Sequence, residues 1–257
     1  MAVSYDLRGD VALLTLDRPD RFNAVTQDLS DGLVGGLQRA GDEARAAVIT
    51  GAGKAFCSGA DLSDLMGEYE TGGPDLSRVI GDRFNPMVEA LLEAPLPTVA
   101  AVNGAAAGAG MGLALACDLR LMAESAFFLS AFIGLALIPD TGTTWLLPHH
   151  LGLSRAMELT FSNRRMPAAE ALDLGLAVEV VPVDSLVERA MVRANGLTDG
   201  PTAAYVATRR LLVDAVHSEP NSALEREQRT QGDLGNSADH LEGMKAFLEK
   251  RPPDFRS

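Results

Sequence analysis

The sequence predicts an α/β protein, with alternating strands and helices first and helices last. Three observations carry this. Short apolar runs that read as strands recur between helix-period stretches up to about residue 150. From Ser154 onward the pattern is mostly helical. The 257 residues, 47% hydrophobic and 22% charged, can bury a sizeable core. The expected division is a core of residues 1–200 and a helical region of residues 201–257, packed on the core or on a neighbouring subunit.

Taken in order, residues 3–7 and 11–16 flank Arg8-Gly9-Asp10 as a hairpin, and Asp17-Arg18-Pro19 ends its second strand. Thr26 to Arg39 sets Leu29, Leu33 and Leu37 on one helical face. Ala46 to Thr50 reads as a buried strand, and Leu62 to Gly73 as a loose helix and mobile loop. Leu76 to Leu92 reads as a helix, with Leu76, Val79, Ile80, Phe84, Met87, Val88 and Leu91 keeping i, i+3, i+4 spacing. Residues 95–118, PLPTVAAVNGAAAGAGMGLALACD, read as buried strand, side-chain-poor turn and buried helix. Leu119 to Ala123 is another strand, Ala126 to Ile138 an unbroken apolar run, Pro139-Asp140-Thr141-Gly142 a turn, and Trp145 to Leu151 follows. Helices are expected at 154–161, 167–173, 184–196, 201–216, 221–234 and 239–249, interrupted by one strand, Ala177 to Val181. No sequence repeat is evident.

The net charge of −13 argues against nucleic acid or an anionic membrane as the main partner. The two cysteines, Cys57 and Cys117, lie in apolar or small-residue settings, which fits a reducing compartment without a disulfide framework. The N-terminus carries acids early and lacks the apolar core of a signal peptide. No window of ~18 residues has the large apolar side chains of a membrane span. The expected compartment is the cytoplasm.

Two glycine-rich turns between a strand and a helix stand out, Gly51 to Asp61 (GAGKAFCSGAD) and Asn103 to Gly112. Small residues there let a ligand approach the backbone, and the free N–H groups of a helix's first turn point at whatever arrives. Two such turns can aim two donors at one oxygen. Equally, they can be tight helix–strand crossings with no ligand. The spacing Gly108-x-Gly110-x-Gly112 falls one residue short of a dinucleotide fingerprint, and no Gly-Lys-Ser/Thr phosphate loop is present. Cys57 and Ser58 lack an activating partner, since His149, His150, His217 and His240 sit in no suitable motif. Adjacent His149 and His150 face different ways without an accompanying ligand cluster, which argues against a metal. Asp140 is either an ordinary β-turn acid or a proton-transfer base at the edge of an apolar cavity, where burial raises its pKa.

Five stretches together resemble the enoyl-CoA hydratase/isomerase (crotonase) family: Asp17-Arg18-Pro19 with Asn23-Ala24, KAFCSGADL, PTVAAVNGAAAGAGMGLALACDLR, IPDTGTTWLLP and SADHLEGMKAFLEKRPPDF. They occur in family order and at family spacing over nearly the whole chain. The resemblance implies a spiral of ββα repeats with a C-terminal helical trimerisation region, and homotrimers or hexamers formed as dimers of trimers. It implies acyl-CoA thioesters as ligands, with coenzyme A part of the substrate and neither a separate cofactor nor a metal. By position it implies oxyanion-hole donors at the backbone N–H groups of Ala60 and Ala109. It also implies a CoA-binding turn flanked by Ser58, Asp61 and Leu62, and tail contacts to CoA from Phe247 and Lys250.

The glutamates that hydratases of the family hold fall here at Gly112 and Phe132, neither of which transfers a proton. Asp140 matches the proton-shuttling acid of the family's isomerases, and IPDTGTTWLLP is similar in particular to the ring-enoyl isomerases of phenylacetate degradation. The leading expectation is an acyl-CoA isomerase that moves a double bond, or rearranges a ring enoyl or epoxide-derived thioester, with Asp140 as base. The alternatives are an enoyl-CoA hydratase (lyase) of fatty-acid β-oxidation and a non-catalytic acyl-CoA-binding protein. Acyl specificity is expected from residues 62–75 and from Phe128, Phe132 and Trp145.

Overall fold

The apolar strands assemble into two sheets rather than one. The computed structural model describes residues 1–69, 72–216 and 218–256. His217, and Glu70 and Thr71 within the expected mobile loop, lie outside the described residues. β1 (Val3–Arg8) and β2 (Val11–Leu16) form the hairpin, followed by α1 (Gln27–Glu43), β3 (Ala46–Gly51), β4 (Ala55–Cys57) and α2 (Leu62–Tyr69). α3 (Leu76–Val79) runs through a π-turn, Ile80–Phe84, into α4 (Asn85–Leu92). Next come β5 (Thr98–Val102), β6 (Ala105–Ala107), α5 (Ala109–Ala116), β7 (Leu119–Ala123) and β8 (Phe127–Leu129). Then follow α6 (Thr143–Leu151), α7 (Leu153–Ser162), β9 (Arg165–Pro167), α8 (Ala168–Asp173), β10 (Glu179–Val181) and α9 (Val183–Thr198). The last three helices are α10 (Thr202–Ala215), α11 (Pro220–Gly235) and α12 (Ala238–Glu249).

The larger sheet has the order β1-β2-β3-β5-β7-β10 and is parallel from β2 onward; the smaller has the order β4-β6-β8-β9. The successive pairs β3/β4, β5/β6 and β7/β8 each give one strand to either sheet. That is the expected spiral of ββα repeats, a repeat of structure without a repeat of sequence. Three strands correct the sequence reading: β4 and β6 lie within stretches that read as glycine turns, and β9 has no counterpart in it. Each has three residues, too few to display a two-residue period.

Two buried asparagines tie the sheets together where the chain passes between them. The Asn23 amide donates to the carbonyls of Ala52 (2.9 Å), Ala55 (2.8 Å) and Phe56 (3.2 Å). Asn103 donates to Gly53 and Ala55 and accepts from the Gly51 amide at 3.1 Å. These bonds satisfy carbonyls that the crossing removes from the sheet ladders, which buried backbone requires. Helix α5 is buried along its whole length. A β-carbon on Gly110 would overlap the Cys57 carbonyl oxygen, so only glycine lets α5 lie directly on β4.

Among the arginines that fasten the C-terminal region to the core, two reach several carbonyls each. Arg209 of α10 pairs with Asp118 (2.6 and 3.0 Å) and donates to the carbonyls of Leu92, Ala94 and Leu96. Arg45 donates to the carbonyls of Thr198, Gly200 and Phe255. Among the described residues no helix is long and apolar enough to cross a membrane.

Candidate active site

The two glycine turns meet. A β-carbon on Gly59 would stand 3.0 Å from the Ala107 carbonyl oxygen and 3.6 Å from the Ala109 amide nitrogen. Gly59 and Gly108 adopt positive φ of 96° and 53°, conformations that cost glycine little, and these deliver Ala60 and Ala109 to one cavity. Among the described residues neither the Ala60 nor the Ala109 amide donates to a backbone carbonyl, although on either side of Ala60 the Gly59 carbonyl accepts from the Val25 amide and the Asp61 amide donates to the Val25 carbonyl. Ala109 is the first residue of α5, where an N–H has no partner within the helix.

The cavity, about 310 Å³, is built from four segments. The first glycine turn supplies Ser58, Gly59, Ala60 and Leu62, and the second supplies Gly108 and Ala109. Leu76, Val79, Ile80 and Phe84 come from α3 and the π-turn; Ala131, Phe132, Leu135, Leu137, Ile138 and Asp140 come from the connection after β8. The apolar stripe of residues 76–91 thus divides. Met87, Val88 and Leu91 enter the core, while Leu76, Val79 and Ile80 face the cavity. The long apolar run at 126–138 divides likewise, giving one short strand and then a cavity wall.

Among the described residues, Asp140 is the sole carboxylate of the lining. It is half-buried, and burial raises its pKa above the ordinary 3.8, against a smaller opposite pull from Thr141, whose hydroxyl donates to Oδ1 at 2.6 Å. Phe132 leans over the second glycine turn, with its Cζ 3.8 Å from where a β-carbon on Gly108 would stand. Gly112 faces the Asp140 turn directly: a β-carbon there would overlap the Thr141 carbonyl oxygen.

Several expected residues have other surroundings. Asp61 is buried and does not line the cavity; its carboxylate accepts from Ser63 Oγ (2.5 Å) and pairs with Arg18 (2.9 Å). The Ser63 bond first, then Arg18, hold its pKa below 3.8 against the opposing effect of burial. Asp61 therefore fastens the 58–63 turn to the loop after β2. Phe247 is 80% exposed on α12, and Lys250 caps that helix in a left-handed conformation; neither lines the cavity. Phe128 and Trp145 do not line it either. Phe128 points into the core from the middle of β8, and Trp145 packs on His149 with ring centroids 4.3 Å apart.

Burial pushes both thiols up to about 12, so Cys57 and Cys117 remain neutral and unreactive. Burial, with help from Arg120 and His149, brings His150 down to about 4, leaving it neutral. Among the described residues no three His, Cys, Asp or Glu side chains are grouped as a metal site requires. Sequence reasoning names Phe132 but misses the rest of the wall at 131–138 and the role of residues 76–80. The available signal was an apolar run too long for one strand.

The chain as a whole has counterparts among known proteins. Residues 6–257 match the Enoyl-CoA hydratase/isomerase family, and the chain belongs to that family. It is 43% identical over 253 residues to a Rhodobacter capsulatus protein described as "Probable enoyl-CoA hydratase", covering 98% of this chain and 97% of that one. It is 38% identical over 247 residues to the 1,2-epoxyphenylacetyl-CoA isomerase of Escherichia coli K12, covering 95% and 94%. The crystal structure of an enoyl-CoA hydratase from Polaromonas sp. JS666 superposes with a TM-score of 0.93 at 30% identity, covering both chains in full. The protein is thus an acyl-CoA enzyme of the crotonase fold.

Proposed function

We propose that this enzyme is an enoyl-CoA isomerase that shifts a double bond, or rearranges a ring enoyl or epoxide-derived thioester, with Asp140 as the proton carrier. The observation that carries this is Asp140, the single carboxylate among the described residues of the cavity lining. In the double-bond shift, the Asp140 carboxylate takes a proton from one carbon of the acyl chain. The electron pair moves through the conjugated system onto the thioester oxygen, and the N–H groups of Ala60 and Ala109 stabilise that oxygen. The Asp140 carboxylic acid then returns the proton two carbons along, and the double bond is displaced with no net gain or loss of atoms. A raised pKa suits both halves, because the acid must be regenerated and then give its proton back. The apolar wall, Phe132 above all, keeps water from the intermediate.

Syn addition of water draws on two carboxylates, one to activate the water and one to deliver a proton. Gly112 and Phe132 supply neither. Ser58 and Leu62 at the cavity rim fit a role in holding CoA, and Phe247 and Lys250 are proposed to meet it in a homotrimer or a hexamer of paired trimers. The test is Asp140→Asn with 3-enoyl-CoA substrates; turnover close to that of the unmodified enzyme would overturn the reading. A second reading, hydration of 2-enoyl-CoA, is favoured by the description of the Rhodobacter relative. Assaying both reactions on one preparation separates them.

A further inference from the structure

The cavity wall after β8 is held in an unfavourable shape by a side chain outside the cavity. Ala131 and Ala136 bracket the wall's turn with positive φ of 66° and 57°, a region that L-alanine rarely enters. Within the turn, Leu135 and Leu137 donate to the Phe132 carbonyl and Ala136 to that of Ile133, so it is self-contained. Among the described residues, its hydrogen bond to the body of the protein is from the Ala131 amide, which donates to Asn163 Oδ1 at 2.9 Å. The same side chain reaches the far side of the turn: a β-carbon on Gly134 would stand 3.0 Å from Asn163 Nδ2.

Asn163 is itself fixed. It ends α7 in a left-handed conformation with φ 47°. The next residue, Arg164, pairs with Glu158 of α7 (2.9 Å) and Glu170 of α8 (2.6 Å). The ion-pair clamp places Asn163, Asn163 holds Ala131, and Ala131 sets the direction in which Phe132 leaves the backbone.

We propose that Asn163 is a positioning residue for the cavity wall, keeping Phe132 closed over the glycine turn so that a proton held on Asp140 goes back to substrate rather than to water. The consequence for the proton rests on the isomerase reading; the consequence for the wall does not. Asn163→Gly is the appropriate variant, because glycine accepts the left-handed backbone and removes only the side chain. Asn163→Asp is its control, since it keeps the acceptor.

In the substrate-free protein, hydrogen exchange at the Ala131 amide should speed up by about tenfold in Asn163→Gly and stay slow in Asn163→Asp. In D2O, the fraction of isomerised product carrying solvent deuterium should rise in Asn163→Gly and return to the unmodified level in Asn163→Asp. Unchanged amide exchange in Asn163→Gly overturns the proposal whatever reaction the enzyme performs. So does loss of the whole fold in that variant, which would make Asn163 a global rather than a local support. Faster amide exchange without isomerisation in the unmodified enzyme would retain the wall's anchor and reject the isomerase reading instead.

Discussion

The Thr141 carbonyl oxygen fills the space that a β-carbon on Gly112 would need. Two backbones meet there, so neither can swing aside as a side chain would. Gly112→Ala should cost about 1–3 kcal/mol in denaturant titrations. It should cost more in catalysis, because Asp140 adjoins the displaced residue and an error of about 1 Å in position can lower a rate about 100-fold. Gly112→Glu should yield no hydratase, since the introduced carboxylate would have to displace the turn that carries Asp140.

Asp140→Asn should lower isomerisation by about 10²- to 10⁴-fold, the usual worth of a positioned acid–base group. The log kcat/KM of the unmodified enzyme should rise with pH through a limb lying above the ordinary carboxylate value of 3.8, and the variant should lack that limb. Stability should move the other way. An acid whose folded pKa is raised binds its proton more tightly in the native state, so its ionisation opposes folding once pH exceeds 3.8, with the full penalty above the folded pKa. Asp140→Asn should therefore melt at a higher temperature than the unmodified protein at pH 7, a trade of stability for activity.

The Arg18–Asp61 pair has side-chain exposures of 23% and 9%, and Arg18→Met should cost about 3 kcal/mol because it leaves a buried carboxylate short of its cation. The pKa of Asp61 is depressed, so its contribution is complete above the unfolded value near 3.8 and fades as pH falls through the lower folded value. Acid titrations monitored by circular dichroism should show this component in the unmodified protein and not in Asp61→Asn.

Arg209→Ala should leave Asp118 without its cation and three carbonyls without their donor, at a cost of about 3–5 kcal/mol. The region 201–257 should become the first to be cut in limited proteolysis, read by mass spectrometry. Cleavage spread evenly over the chain would reject Arg209 as the fastening.

Most helices and the strands of the larger sheet are legible because they lie in apolar runs of five residues or more, the three-residue β10 within the run Ala177 to Val181. The smaller sheet is not. Three-residue strands such as β6 carry no period, and Ala105 to Ala107 has the composition of a turn. At the site, glycines mark the two turns locally and a turn acid marks Asp140, whereas Ala60 and Ala109 are singled out by the family resemblance; all three line one cavity. Phe128 and Phe132 are four residues apart in one apolar run, yet one enters the core and the other the cavity. What separates them is the left-handed kink at Ala131, set by Asn163 thirty-two positions further on. Composition does not register a reversal imposed from that distance.

The donors at Ala60 and Ala109 belong to the main chain, and no substitution short of proline removes an N–H. The corresponding codons can drift among small residues while the pair of amides persists. Asp140 has no such insurance, because one missense change deletes the cavity's acid. Under the proposed mechanism, substitution therefore acts unevenly on the two halves of the site, sparing the amides and exposing the 130–143 ribbon.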